Sequence, residues 1–306
     1  MNSRQYTSCD GSCGGSGSRL AGLSSRGRTT SISLVLGGVV SVQVGAAIAT
    51  RLFDDVGPTG TVMLRLAFAA LVLLAIWRPT VAGLRGARAR DVALFGVALA
   101  GMNTSFYLAL DRIPLGIAVT LEFVGPLGVA FAASRRRHDL VWAALAAAGI
   151  LLLAPTPGGD LDALGAALAL LAGAFWATYI VLSARIGRSF EGGEGLAVAM
   201  AIAAALMLPV GIVEGGEELL DAGLLATGFA VAMLSSAIPY SLELEALRRL
   251  PQGVFGVLMS LEPAVAATVG FIVIDQGLEA REIVAIGLVV AASAGALRSA
   301  PPSAEA

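Results

Sequence analysis

Residues 113–133 read IPLGIAVTLEFVGPLGVAFAA, a stretch of 21 residues in which Glu122 is the only charged side chain. About 20 apolar residues in a helix span the roughly 30 Å hydrocarbon core of a bilayer. A carboxylate near the middle of such a span costs roughly 2.5 to 3.5 kcal/mol on insertion scales, so it needs a cavity, a partner or a proton. Glu262 has a similar setting within residues 252–274. The two acids are therefore the first candidates for a functional site.

The composition of the whole chain indicates a helical membrane protein. The 306 residues are 57% hydrophobic and only 14% charged, and the mean hydropathy is +0.82. Apolar runs of spanning length recur between residues 32 and 298. They are rich in Ala, Leu, Val and Gly and lack the alternation of membrane barrels. The predicted fold class is therefore an all-α polytopic membrane protein, with the lipid bilayer as its surroundings.

The hydropathy predicts ten transmembrane helices in two halves. The spans are 32–52, 58–77, 91–110, 113–133, 139–154, 163–183, 195–213, 222–247, 252–274 and 281–298. Residues 1–30 are rich in Ser, Gly and Arg and are expected to form a disordered cytoplasmic tail. Residues 31–158 and 159–298 are the two predicted five-helix units, and 299–306 form a C-terminal cytoplasmic tail.

The distribution of charge supports this count. Cytoplasmic loops are enriched in basic residues. With ten spans and a cytoplasmic N-terminus, 16 of the 20 basic residues, all of them Arg, fall on the cytoplasmic side. The outer loops carry acids, including Asp54-Asp55 and Glu217-Glu218. Removing one helix would invert every later loop, so we expect ten spans and two cytoplasmic termini in a bacterial plasma (inner) membrane.

A short repeat relates the two halves. Residues 109–116 read ALDRIPLG and residues 246–253 read ALRRLPQG, with five of eight positions identical. Leu121-Glu122 and Leu261-Glu262 follow the two copies. Because five helices per half is an odd number, the halves must cross the membrane in opposite directions. Inverted repeats are a transporter architecture with the substrate site between them near the midplane.

Further polar side chains lie at membrane depth. Arg65 interrupts the second span and needs Glu122, Glu262 or a backbone carbonyl as a partner. One interpretation is a structural ion pair that holds helices together. The other is a functional cation that receives a substrate carboxylate or adjusts the proton affinity of a glutamate.

Amide and aromatic side chains complete the set of candidates. Gln43 interrupts the first span and Asn103 the third, and Tyr107 follows Asn103 by four residues on the same helix face. Such amides contact a substrate or bridge helices at modest energy. Trp176, Tyr179 and Tyr240 either wall a cavity or belong to the packed core. The candidate substrate-binding or coupling residues are Glu122, Arg65, Asn103, Tyr107, Gln43, Trp176, Tyr179, Tyr240 and Glu262.

Prolines accompany both acids. Pro126 follows Glu122 by four residues, and Pro263 directly follows Glu262. Proline frees a carbonyl and kinks a helix, which is tolerated where a cavity or neighbour satisfies the freed group. A carboxylate beside a freed carbonyl is suited to a cation or an amine. The two settings differ, which favours coupling and substrate binding for Glu122 and helix geometry with a secondary contact for Glu262.

Several classes of chemistry lack the residues they need. His138 is the only histidine, and Cys9 and Cys13 are the only cysteines. No phosphate-binding loop, nucleophile motif or zinc motif occurs in a position where it could function. The prediction is a protein that is not an enzyme, needs no cofactor or metal and binds no nucleic acid. The sequence does not indicate an oligomeric state.

A family resemblance extends over residues 35–298. Residues 112–126 (RIPLGIAVTLEFVGP), 173–177 (GAFWA), 238–243 (IPYSLE) and 259–264 (MSLEPA) carry it. The chain resembles the EamA family of the drug/metabolite transporter superfamily, in particular its bacterial threonine/homoserine exporters. The resemblance implies ten helices in two inverted repeats, a central cavity and export of a small amino acid driven by an ion gradient. We expect protons as the coupling ion and alternating access as the mechanism.

The sequence leaves three alternatives open. The same fold could export drugs or lipophilic cations, which a drug-sensitivity panel beside an amino-acid tolerance assay would separate. A membrane enzyme is a second alternative, although the spans lack a nucleophile–base set. A passive or accessory membrane subunit is the third, and it would show no transport in liposomes.

Overall fold

The computed structural model describes residues 25–79, 86–133, 139–153, 161–187, 189–190, 192–239, 242 and 258–299. These residues form helices, turns and short connections, with no strand among them. The helices are α1 (Ser25–Ala49), α2 (Phe53–Trp77), α3 (Ala87–Leu110), α4 (Leu115–Glu122), α5 (Val124–Ala133), α6 (Asp139–Leu153), α7 (Ala163–Ile186), α8 (Glu194–Gly215), α9 (Ala222–Ala232), α10 (Glu262–Ile274) and α11 (Ala280–Ser299). Short 3₁₀ turns follow α1 and α8, and a π-helical turn, Met233–Ala237, follows α9.

The outer surface of the bundle is apolar. Within the described ranges, four helical segments are long and apolar enough to cross a membrane: Ile32–Trp77, Arg88–Leu110, Ala163–Ile186 and Glu194–Leu220. The first contains most of α1 and all of α2. Large hydrophobic side chains point outward, with Val213 85% exposed and Leu151 73% exposed. Such a surface suits hydrocarbon rather than water.

The first two helices refine the expected spans. α1 begins at Ser25 rather than at residue 32, so helical hydrogen bonding continues beyond the apolar stretch into residues that were expected to be disordered. In α2, Gly57 has a left-handed φ of 70° and Pro58 follows it. The regular helix therefore restarts at Pro58, the expected position, because proline is favoured in the first turn of a helix.

The expected helix over residues 113–133 is interrupted rather than continuous. The chain instead forms α4 and α5, which are separated at Phe123 directly after Glu122. Pro126 has no N–H to donate to the carbonyl of Glu122, and proline inside a helix clashes with that same carbonyl. The interruption places Glu122 at the C-terminal end of a short helix.

The eighth and ninth expected spans also need correction. In the span 222–247, the described residues 222–239 form α9 and then the π-helical turn rather than one uniform α-helix. In the described part of the span 252–274, Leu258 and Met259 are helical, Ser260 and Leu261 form a turn, and α10 begins at Glu262 with Pro263 in its first turn. Residues 243–257, which contain the second copy of the repeat, lie outside the described residues.

Helices α4 and α10 pack side by side in opposite directions. The backbone N–H of Leu115, at the start of α4, donates to Gln276 Oε1 just beyond the end of α10 (2.8 Å). A Cβ built on Gly116 would lie 2.7 Å from the Cα of Ala267, so the two backbones are in close contact. The C-terminal end of α4 and the N-terminal end of α10 therefore point toward the same region.

Candidate functional site

A cavity of about 360 Å³ lies inside the helical bundle where the breaks of α4 and α10 meet. Side chains from both predicted halves line it. Its polar wall consists of Gln43, Arg65, Asn103, Glu122, Ser235, Glu262 and Ser293. Aromatic rings form a second wall, made of Phe106, Phe123, Trp176 and Tyr179. The cavity therefore combines both acids and a guanidinium group with an apolar surround.

Helix ends position the two acids. Glu122 is the last residue of α4 and Glu262 the first residue of α10, and both side chains are buried. Gln43 of α1 donates from Nε2 to Glu262 Oε1 at 3.3 Å, across 219 residues of sequence. Glu262 is thus held by an amide from the other half of the chain.

Close backbone packing supports the Glu122 side of the cavity. A Cβ on Gly173 of α7 would lie 2.5 Å from the backbone carbonyl oxygen of Glu122. A Cβ on Gly125 would overlap the carbonyl oxygen of Gly173. These two glycines let α7 approach the break between α4 and α5. The position of the Glu122 backbone therefore depends on small residues at both points.

Arg65 reaches the cavity from α2 and is held by neutral oxygen atoms. Its Nη1 donates to the hydroxyl of Tyr107 at 3.3 Å, and its Nη2 donates to the backbone carbonyl of Ser235 at 3.2 Å. The guanidinium carbon also lies 5.5 Å from the centre of the Tyr107 ring, within the range of a cation–π contact. A backbone carbonyl is thus one of its partners, as the sequence allowed.

Tyr107 and Asn103 have different positions although they share a helix face. Tyr107 is fully buried and does not line the cavity, but its hydroxyl anchors Arg65. Asn103 does line the cavity, and its Nδ2 donates to the carbonyl of Leu99 in its own helix at 2.8 Å. The structure therefore places Tyr107 as a support for Arg65 and Asn103 in the cavity wall.

The aromatic wall is fixed by ring contacts. Trp176 packs edge-to-face against Phe123, with ring centres 5.6 Å apart. Tyr179 stacks on Phe95 at 5.0 Å. Such pairs hold large flat surfaces in place. Both predicted aromatic residues in α7 therefore line the cavity, and each also packs against a neighbouring ring.

The residues selected from the sequence and the residues that line the cavity differ at Tyr240 and Ser235. Tyr240 lies outside the described residues, so its predicted role remains a prediction. Ser235 lines the cavity but was not selected from the sequence. The sequence does contain a signal for Ser235, because the pair Ser235-Ser236 interrupts an apolar run as Gln43 and Asn103 do. Serine in a helix usually bonds its own backbone, which makes that signal weak.

Three polar atoms in the cavity wall are buried without a hydrogen-bond partner among the described residues. They are Gln43 Oε1, Arg65 Nε and Ser235 Oγ. A buried polar group without a partner costs about 1–3 kcal/mol. The first is an acceptor, the second a charged donor, and a hydroxyl can act as either. Residues that line the cavity thus carry unused hydrogen-bonding groups of both kinds.

Comparison with known proteins agrees with this architecture. Residues 163–298 match the EamA-like transporter family. The threonine/homoserine exporter RhtA of Escherichia coli (strain K12) is 45% identical over 269 residues, which cover 86% of this chain and 90% of that protein. The chain belongs to the EamA-like transporter family. The exporter of the same name from Salmonella typhimurium (strain LT2) shows equal identity and coverage. This member of the family is therefore a membrane transporter built from apolar helices.

A solved crystal structure shares the fold of this EamA-like transporter. It aligns with a TM-score of 0.60 and 20% sequence identity, covering 86% of this chain and 96% of the other. At that level of identity the similarity concerns the fold alone. The chemistry of the cavity depends on the side chains of this chain.

Proposed function

We propose that this transporter exports small amino acids such as threonine and homoserine across the bacterial inner membrane. Its relatives carry those substrates in their names, and they align with 86% of this chain. The observation that supports the proposal most directly is the cavity itself. It places two carboxylates and one guanidinium group in a wall that also contains amide, hydroxyl and apolar side chains.

A zwitterionic amino acid matches that arrangement. Its ammonium group can bind Glu122 or Glu262, and its carboxylate can bind Arg65. Charge-assisted hydrogen bonds of this kind are about twice as strong as neutral ones. A cavity of about 360 Å³ falls within the size range of small-molecule sites and has room for such a ligand. The rings of Trp176 and Phe106 would then enclose the apolar part of the substrate.

The proposed topology consists of ten spans in two inverted five-helix repeats, residues 31–158 and 159–298, with both termini in the cytoplasm. The antiparallel packing of α4 and α10 supports it, because these helices contain the corresponding acids Glu122 and Glu262. The concentration of Arg on one side of the ten-span arrangement supports the orientation. The site then lies between the repeats, as in other transporters with inverted topology.

Glu122 is the proposed coupling residue. It lies at a helix break and has a buried side chain in the cavity wall. A carboxylate in that position can hold the substrate ammonium or a proton, so binding of one displaces the other. The two loaded states would favour different packings of the halves, which gives proton-coupled alternating access. Glu262, held by Gln43, would supply a secondary contact.

The test is gradient-driven uptake of radiolabelled threonine by inside-out vesicles or proteoliposomes. We expect uptake that depends on an imposed proton gradient and its loss in Glu122→Gln, with normal expression and membrane insertion. Glu217→Gln, which changes an exposed acid outside the cavity, is the matched control. Unchanged gradient-driven transport in Glu122→Gln would remove this residue from the coupling mechanism.

Efflux of lipophilic cations is the second candidate function. The observation that favours it is the aromatic wall of Phe106, Phe123, Trp176 and Tyr179 beside two carboxylates, since aromatic faces attract organic cations. Cells that express the protein would then resist cationic dyes rather than excess threonine or homoserine. Measuring both kinds of resistance in one strain separates the two functions.

A further inference from the structure

The π-helical turn Met233–Ala237 is the most unusual backbone feature beside the cavity. The N–H of Ile238 bonds to the carbonyl of Met233, five residues earlier, instead of the usual four. Such turns insert one extra residue into a helix and occur frequently at functional sites. Here the turn directs Ser235 into the cavity wall.

Contacts from two other helices fix this turn. Ser41 of α1 donates from Oγ to the carbonyl of Leu234 at 2.7 Å. Arg65 of α2 donates from Nη2 to the carbonyl of Ser235 at 3.2 Å. Gly45 of α1 packs so closely that a Cβ there would overlap the Ser235 hydroxyl oxygen. Ser235 is therefore held from both sides in a defined position.

The hydroxyl of Ser235 differs from two threonine hydroxyls that bond the backbone of their own helices. Thr227 and Thr268 donate to the carbonyls of Gly223 and Ala264, four residues earlier in their own helices. Ser235 is only 4% exposed. Its Oγ has no hydrogen-bond partner in the described part of the chain, and neither has Nε of Arg65, whose Nη2 bonds the Ser235 carbonyl. Both residues line the same cavity, and a ligand with two acceptor atoms would satisfy the two unpaired donors.

We propose that the Ser235 hydroxyl and Arg65 Nε together bind the carboxylate of the transported amino acid. A carboxylate offers two acceptor oxygens, and hydrogen bonds to a charged group are worth about 1.5–3 kcal/mol. Ser235 would therefore help the transporter to select molecules with a free carboxylate. This inference rests on the proposed export of amino acids and adds a specificity-determining residue to it.

The experiment compares Ser235→Ala with Ser236→Ala in proteoliposomes. Ser236 is the adjacent serine, is also buried, and does not line the cavity, so it is a matched control. We expect the KM for threonine to rise about tenfold in Ser235→Ala, equivalent to about 1.4 kcal/mol, and to stay unchanged in Ser236→Ala. Competition by threonine amide provides a second readout. The preference for threonine over its amide should fall about threefold in Ser235→Ala only.

The outcomes distinguish this inference from the proposed function. If the wild-type protein does not transport threonine, the proposed function fails and the carboxylate site fails with it. If the wild type transports threonine but Ser235→Ala keeps the same KM and selectivity, the inference alone is overturned. An equal rise in KM for Ser236→Ala would also overturn it. If Ser235→Ala is poorly folded, the near-isosteric Ser235→Cys, a weaker hydrogen-bond donor, must show the increased KM.

Discussion

Gly125 of α5 lies directly against the backbone carbonyl of Gly173 in α7, with no space for a side chain between them. Gly173 in turn contacts the carbonyl of Glu122. Two glycines from different helices thus set the position of the helix break that carries the proposed coupling residue. The sequence positions are 48 residues apart, so only packing brings them together.

Gly125→Ala should destabilise the folded transporter. The added methyl group would overlap the Gly173 carbonyl, and overpacking in a tight contact costs about 1–3 kcal/mol. We expect a lower midpoint of thermal unfolding in detergent and reduced transport. Gly128→Ala, in the same helix, is the control because a Cβ there meets nothing within 4 Å. Equal thermal stability of both variants would contradict the proposed role of this contact.

Tyr107→Phe should weaken substrate binding although Tyr107 does not line the cavity. The change removes the hydroxyl that accepts from Arg65 Nη1. Loss of this hydrogen bond to a charged group should raise the KM for threonine about tenfold. The maximal rate should change much less. Thr178→Ala removes an exposed hydroxyl that bonds only its own helix and should leave the KM unchanged.

The contact between Gln43 and Glu262 should appear as an energetic coupling. Gln43→Ala, Glu262→Gln and the double variant form a double-mutant cycle, which isolates the pairwise term. Because the amide donates to a buried carboxylate, we expect a coupling of about 1 kcal/mol in thermal stability. Additive effects of the two single changes would show that the contact does not contribute to folding.

Glu214→Ala should reduce stability without changing substrate affinity. Glu214 of α8 accepts from the backbone N–H groups of Thr59 (2.7 Å) and Gly60 (3.3 Å), and from the Thr59 hydroxyl. It thereby caps the helix that restarts after Gly57. Loss of a helix cap costs about 0.5–2 kcal/mol. The midpoint of thermal unfolding should fall while the KM for threonine stays the same.

A control for the Glu214 prediction is available in the adjoining 3₁₀ turn. Glu218→Ala removes an exposed carboxylate from the segment Gly216–Leu220 and should leave stability nearly unchanged. If both variants lose the same stability, the effect is one of net charge and not of capping. A changed KM in Glu214→Ala would indicate that the α2–α8 contact affects the cavity.

Hydrophobic length allowed several helices to be predicted well. The short span expected at residues 139–154 is confirmed as α6, Asp139–Leu153. The spans 163–183 and 195–213 are confirmed as α7 and α8 with ends displaced by at most three residues. A helix in hydrocarbon must satisfy its backbone internally over the full thickness of the membrane. That requirement links a run of apolar residues directly to helix length.

The interruptions within helices were harder to predict. The break at Phe123 follows from Pro126, yet a proline can also be accommodated by a kink in a continuous helix. The π-helical turn at Met233–Ala237 has no proline inside it. It is accompanied by contacts from Ser41 and Arg65, which belong to distant parts of the chain. Pro239, which has no N–H to donate to the carbonyl of Ser235 four residues earlier, is a local signal of an irregular helix. The contacts that fix the turn are not encoded in local sequence.

The sequence by itself determined the class of protein and most of the candidate site. A buried charge in an apolar span is costly enough to identify Arg65, Glu122 and Glu262 without any coordinates. Tertiary structure decided their partners: Gln43 holds Glu262, Tyr107 and Ser235 hold Arg65, and glycines position the backbone of Glu122. The free-energy cost of desolvating a charged side chain depends on the residue type and its depth in the membrane. The amino-acid sequence indicates both. Hydrogen bonds depend on distances of about 3 Å between remote segments, which only the packed helices establish.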